Sequence, residues 1–499
     1  MKLIEKTSRG YRIPGLVDAH VHIESSHLLP SEFGRLLVSH GTIAAVCDPH
    51  EIVNVMGEEG LALMLEEARK SPADLRFMLP SSVPATDFET SGAVLTAEDT
   101  ERLFERYPEL FGLGEVMNVP GVLSRETETM NKIAAALKRG KAVDGHFPGG
   151  CGKDLLSYAA AGITSDHESA GAEEALGKIA AGIDVFIREG SAARNLHQVL
   201  PAVNDENYRR FSFCTDDLSA ADLLARGDTI HAVRMAVSAG MTPERAIAIA
   251  SVNAAAHYGF QLRDDDWIEV EDLKDFRILE VVRKGVRYER PAINEEAKAF
   301  ANTVHLGALD DFAFPMPPQG ASAANVIVVQ DGSLVTGQRS IPLDGRELHL
   351  TRFAVLERHG RTGTRAFAYV DGVGGLDGAF AATIAHDSHN LSVLGSNDAD
   401  MKIAALRLAE IGGGAVVIRK GEILAEMRLE VGGLMSAAPA EIVAAADRAV
   451  KNAAHAIGCT LSEPLTALSF LSLSVIPELK LTDRGLFSYR DWKFIPLYH

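Results

Sequence analysis

His20 and His22 form an HxH pair at the end of an apolar run, GLVDAHVHIE over 15–24. If that run is a strand, residues i and i+2 share a face. Two imidazoles on one face can bind a divalent ion. An HxH pair alone is a weak sign, but similar groups recur. Glu115 stands in GLGEVMN, His146 in DGHFPG, His167 and Glu168 in SDHE, and Asp216 and Asp217 in CTDD, each ending an apolar run. His20, His22, Glu115, His146, His167 and Asp216 are enough for two divalent ions, with Glu115 bridging them. Metal-bound water loses a proton near neutral pH. A carboxylate beside it can take up and deliver protons. The implied chemistry is hydrolysis at an electrophilic sp2 carbon.

The elements that must position these groups alternate along the first half. Strand-like segments occupy 15–24, 41–48, 75–80, 110–117, 141–147, 162–167, 183–188 and 211–216. Helical patterns lie between and after them, at 31–39, 58–70, 98–106, 128–139, 152–161, 172–181 and 191–200. The alternation predicts an α/β chain with a (β/α)8 TIM barrel, whose enzymes place their sites at the C-terminal mouth. An open doubly wound sheet is the alternative, but it would bring a Gly-rich phosphate turn after an early strand. Further helices are expected at 228–240 and at 243–251, the latter opened by the cap Thr242-Pro243-Glu244. The barrel domain is read as 1–300, with short flanking segments 1–14 and 261–300. Residues 301–499 read as a C-terminal α+β domain. Its expected strands are 324–330, 347–357, 365–370 and 391–394, and its helices 397–412 and 438–457.

Composition narrows the function classes. The net charge of −19 argues against nucleic acid or an anionic membrane as partner. The N-terminus lacks the apolar segment of a secretory signal, and no run reaches membrane-span length. Cys47, Cys151, Cys214 and Cys459 form no CxxC pair, which fits a reducing cytoplasm.

The order of ligands resembles the amidohydrolase superfamily, with HxH on strand 1, Glu on strand 4, His on strands 5 and 6, and Asp on strand 8. Longer segments resemble the adenine deaminase family. They are DAHVHIESS (18–26), DPHEIVNVMG (48–57), DGHFPG (144–149), SDHE (165–168), REGSAARNL (188–196) and CTDD (214–217). AHDSHN (385–390), GSNDADM (395–401), GGLMS (432–436) and VIPELKLTDRG (475–485) extend the resemblance toward the C-terminus. The resemblance implies hydrolytic deamination of adenine to hypoxanthine and ammonia, with a metal-activated hydroxide attacking C6. It implies the six ligands above, two divalent ions per chain (manganese first, iron or zinc also accepted) and a homo-oligomer, most simply a dimer. Asp216 would shuttle a proton from the nucleophile, and Glu168 would protonate the purine ring nitrogen. Both flanks are short, so the flanking β-sandwich usual in such enzymes is expected to be reduced.

Other residues carry open readings. Ser25 and Ser26 could line the substrate pocket or cap the next segment. Asp217 joins them as a pocket candidate. Asp48, His50 and Glu51 could hold a further ion or support the ligands from behind. His386, Asp387 and His389 are read as a loop covering the barrel mouth and touching substrate. Lys480, Asp483 and Arg484 match the family but could equally be structural ion pairs. The stretch LSAADLLARGD after Asp217 departs from the family pattern. It keeps two alternatives open: a dinuclear aminohydrolase acting on a modified purine or another heterocycle, and a non-catalytic, metal-stabilised scaffold.

Overall fold

The computed structural model describes residues 2–291, 300–343 and 350–499. Eight parallel strands follow one another: β1 Leu16–His22, β2 Thr42–Cys47, β3 Asp74–Phe77, β4 Gly112–Val116, β5 Ala142–Gly145, β6 Ser165–Asp166, β7 Asp184–Arg188 and β8 Phe211–Cys214. β1, β2 and β3 pair in that order, and so do β4 to β8. A bridge between Leu79 and Leu113 joins the two sets. Closure comes from Asp216 and Asp217, which pair in parallel with Val21 and His22. Val17, Ala19, Ala44, Val46, Phe186 and Cys214 meet in one apolar cluster drawn from β1, β2, β7 and β8. The barrel expected from the alternation is therefore present.

All seven residues of β1 are buried. Strands of parallel sheets are covered on both faces and read as continuous apolar runs. Asp18, His20 and His22 break that rule, and each needs a partner. Asp18 finds its partners at the seam. Its Oδ1 accepts from the Thr215 and His20 amides at 3.1 and 3.3 Å, and its Oδ2 accepts from the Thr215 hydroxyl.

In the barrel, the segments after β7 and β2 differ from expectation. The helix expected over 191–200 is confined to Leu196–Val199, followed by a 3-10 turn at Leu200–Ala202. The preceding amides are taken elsewhere: Ser191 N–H donates to Asp217 O at 2.6 Å and Asn195 N–H to Arg188 O at 3.1 Å. A helix over His50–Met56, not anticipated, starts just after β2. The Thr242 cap is as expected, its side chain accepting from the Arg245 amide.

The flanks combine into one antiparallel sheet. Tyr11–Pro14 pairs with Trp267–Val270, which pairs with Ile278–Arg283; Glu5–Lys6 and Val286–Arg287 complete the edges. Among the described residues the flanks form this one sheet. Part of the expected flank, 292–299, lies outside the described residues.

The second half is built on an eight-stranded sheet. Its order is Gly337–Pro342, Ala323–Val328, Arg365–Asp371, Thr351–Leu356, Leu391–Gly395, Ala379–Ala382, Gly414–Arg419, Glu422–Arg428. Positions 347–349 of the strand expected at 347–357 lie outside the described residues. Helix Asp398–Ile411, capped by Asn397, packs on this sheet. Helix Ala440–Ala456 packs on the strand Glu422–Arg428 and also on the barrel helix Ala220–Arg226. One apolar cluster runs through both halves, from Val21 and Ile52 to Val417 and Leu434. No helix among the described residues is long and apolar enough to cross a membrane.

Candidate metal centre

Each ligand-type residue sits at or just past a strand end. His20 and His22 close β1, Glu115 lies in β4, and His146, His167 and Asp216 follow β5, β6 and β8. The barrel thus brings together six groups that are far apart in sequence. His20 Nε2 and His22 Nε2 are 3.1 Å apart. They face Asp216 Oδ1 at 3.5 and 3.2 Å. Asp216 adopts a φ of 58°, in the left-handed region that non-glycine residues seldom occupy. Glu115 stands between two sets of imidazoles. Its Oε1 is 3.6 Å from His22 Nε2, while its Oε2 lies 2.8 Å from His146 Nδ1 and 3.0 Å from His167 Nε2.

The outer nitrogens show which way the rings are turned. His22 Nδ1–H donates to the Asp48 carbonyl at 2.9 Å, so its Nε2 lone pair points inward. An inward lone pair facing a second imidazole nitrogen at 3.1 Å needs a proton or a cation between them. Burial alone would lower the pKa of these imidazoles, but the carboxylates win. His22, despite burial and the nearby His50, is raised well above its ordinary value by Asp216 and Glu115. His146, despite burial, is pushed up to about 9 by Glu168 and Glu115. Burial would raise Glu115, yet His146 and His167 hold it well below the carboxylate range. These protons are what divalent ions displace when they bind. Buried imidazole nitrogen and carboxylate oxygen suit manganese, iron or zinc. The sets His20–His167–Asp216 and Glu115–His146–His167 each converge closely enough to hold an ion.

Arg188 was not anticipated, although it ends β7 and the same strand-end rule would have found it. Its Nη1 donates to Asp216 Oδ2 at 3.0 Å and to Glu168 Oε1, and its Nη2 donates to Glu168 Oε2 at 3.1 Å. Burial would raise Glu168, but Arg188, His146 and His167 bring it below its ordinary value. Glu168 is therefore ionised at neutral pH. Glu24 was also missed. It follows β1, accepts from the Ile52 amide at 3.1 Å, and is pushed up to about 7 by burial.

A second constellation joins the halves. Glu51 Oε1 accepts from His386 Nδ1 at 2.5 Å, and Glu51 Oε2 accepts from His389 Nε2. His389 Nδ1 accepts the Ala385 amide at 3.1 Å, which fixes its proton on Nε2. Burial lowers His389 to about 4, so this ring is neutral. His386, opposed by burial, is raised to about 9, chiefly by Glu51. Phe470 stacks on His386 with centroids 4.4 Å apart. Together with Glu24, Ser25, Asp217 and Leu434, these side chains line a cavity of about 730 Å3 between the barrel and the second half.

Both halves of the chain are similar to known families. Residues 11–262 match the amidohydrolase family, and residues 330–493 match the adenine deaminase C-terminal domain. An adenine deaminase of Nitratidesulfovibrio vulgaris (strain Hildenborough) is 44% identical, over 97% of this chain and 88% of its own length. The chain belongs to the adenine deaminase family. Adenine deaminases of Lysinibacillus sphaericus and Thermosipho africanus are 41% and 39% identical, over 99% and 98% of this chain and 89% and 88% of theirs.

The remaining motifs shared with the adenine deaminase family now have places. Ser25 lies at the cavity and donates to Asp217 Oδ1 at 2.5 Å. Ser26 spends its hydroxyl on the backbone, donating to Ile23 O at 2.6 Å and accepting from the Leu28 amide at 3.2 Å. Asp387 is buried behind His386, and its Oδ2 has no hydrogen-bond partner among the described residues. Lys480, Asp483 and Arg484 are not the ion pairs considered from sequence. Lys480 Nζ donates to the Leu334 and Phe470 carbonyls, at 3.1 and 3.0 Å. Asp483 accepts from the Thr90 amide, and Arg484 donates to Thr90 Oγ1 and the Asp87 carbonyl. Asp483 and Arg484 fasten the C-terminal strands to the barrel loop after β3, while Lys480 ties them to other segments of the second half.

Proposed function

We propose that this chain hydrolyses adenine to hypoxanthine and ammonia. The observation that carries the reading is Glu115, whose two oxygens divide two sets of imidazoles beside the Arg188-linked pair Asp216 and Glu168. One divalent ion would be held by His20, His22 and Asp216, and a second by His146 and His167, with Glu115 shared. When bound, such ions make water acidic enough to supply a nucleophile near neutral pH.

The chain's own residues then account for the protons. Glu168 starts ionised, so it must receive a proton before it can give one. It takes the first proton of the attacking water and passes it to purine N1 as the C6–O bond forms. Asp216 takes the remaining hydroxyl proton and delivers it to the amino group. The C6–N bond breaks, and ammonia and the lactam leave. Arg188 holds both carboxylates at one guanidinium, which keeps donor and acceptor in fixed relation.

The alternative reading keeps the metal site and changes the substrate. Ser219, Ala220, Ala221 and Asp222, within the stretch that departs from the family pattern, line the cavity. A modified purine or another aminated heterocycle is the alternative, and these are the residues that would select it. The test is an ultraviolet difference spectrum of manganese-loaded protein with adenine. Conversion to hypoxanthine, abolished by Asp216→Asn, supports the first reading. No conversion with the ions bound removes adenine and sends the search to a panel of amino-heterocycles.

A further inference from the structure

His50 is 4% exposed, yet its Nδ1 has no hydrogen-bond partner among the described residues. Asp48 is 1% exposed, and its Oδ1 has none either. These two atoms face each other at 3.7 Å, and Glu115 Oε1 lies 3.5 Å from the same nitrogen. We propose that Asp48 Oδ1, His50 Nδ1 and Glu115 Oε1 hold a third divalent cation, beside the two at the strand ends.

The spacing is wrong for direct hydrogen bonds, which run at about 2.7–3.2 Å. It is close to what one ion would impose. Ligands about 2.1 Å from a tetrahedral centre stand roughly 3.4 Å from each other. Asp48 Oδ1 and His50 Nδ1, buried and without partners among the described residues, carry a large desolvation cost. A cation among them offsets it.

The orientation of the ring agrees. The other nitrogen, His50 Nε2, lies 3.3 Å from Glu51 Oε1. A carboxylate there draws the ring proton to Nε2 and aims the Nδ1 lone pair at Asp48 and Glu115. Carboxylate–histidine–metal triads are oriented in this way. Glu51 is itself fixed by His386 and His389. Asp48 is also immobilised, because its Oδ2 accepts from the Glu115 amide at 2.9 Å. That approach requires Gly114, where a Cβ would stand 2.1 Å from Asp48 Oδ2.

Composition alone does not select this place. Glu51, His386 and His389 also converge. Their imidazole His389 carries its proton on the nitrogen facing Glu51, so it offers no lone pair to an ion. The Asp48–His50–Glu115 set has the reverse polarity. It goes beyond the two-ion reading and does not depend on the substrate.

The experiment is metal analysis and anomalous diffraction on the full chain, loaded with manganese and freed of excess by gel filtration. The expected result is three manganese per chain, with an anomalous peak between Asp48, His50 and Glu115. His50→Ala should bind two. Glu51→Gln should weaken the third ion alone by about 10–100-fold. Two manganese in the wild type, and no anomalous peak between these three residues at saturating manganese, would overturn the proposal. Adenine turnover plays no part in the readout, so a failed substrate assignment is seen separately.

Discussion

At the ends of β1, β4, β5, β6 and β8, imidazole nitrogens face carboxylates and also one another; around Glu51 they face a carboxylate only. Both groups are built from the same residue types at the same barrel mouth. The difference lies in the far side of each ring. His22 gives its outer N–H to a carbonyl and turns a lone pair inward. His389 receives an amide on its outer nitrogen and turns an N–H inward. The first arrangement calls for a cation, and the second is complete as a hydrogen-bonded clasp. Ligand-type residues are thus a necessary sign of a metal site, and the group behind each imidazole, backbone or carboxylate, decides.

The contrast can be broken by substitution, and the largest effects belong to the strand ends. Glu115→Gln should strip the protein of its strand-end ions and abolish hydrolysis, read together by metal analysis and product formation. Glu168→Gln should keep the metal content and lower kcat by about 10²–10⁴-fold, the usual weight of a positioned proton donor; an unchanged kcat would remove Glu168 from the reaction. On the clasp side the readout is stability. The raised pKa of His386 favours the folded state fully below roughly pH 6.5, its unfolded value, and this contribution is lost as pH rises through about 9. The stability gap between wild type and His386→Gln, at most about 3 kcal/mol, should therefore close over that window in denaturant titrations. A gap that widens with pH would mean that Glu51 does not charge His386. His389→Ala leaves one Glu51 oxygen unpaired and should cost about 2–3 kcal/mol without loss of the strand-end ions. Ser25→Ala removes only the contact to Asp217, and should shift stability by about 1 kcal/mol or less and KM a few-fold.

The strand-end residues were legible because each ends its own apolar run, and a barrel gathers such ends at one mouth. Arg188 was overlooked because arginine at a strand end is read as solvent-exposed charge, whereas here it is shared by two buried carboxylates. The partner of Glu51 could not be read locally. Its imidazoles come from the other half of the chain, and AHDSHN looks polar until the barrel covers it. The edge strand Gly337–Pro342 escaped notice because its residues are mostly exposed and lack apolar alternation. The Asn397 and Thr242 caps were legible because their hydrogen bonds stay within one turn.

Glu51 and His386 are 335 residues apart. During synthesis the barrel leaves the ribosome long before the imidazoles that clasp it exist. Until then Glu51 faces water or takes up a proton, since an unpaired buried carboxylate costs several kcal/mol. His50 meanwhile has no fixed anion to set its tautomer. The nascent barrel can therefore fold around its strand-end residues while the mouth stays loose and open. The second half of the chain thus acts as a timer, and the mouth can be clasped only once His386 and His389 have emerged.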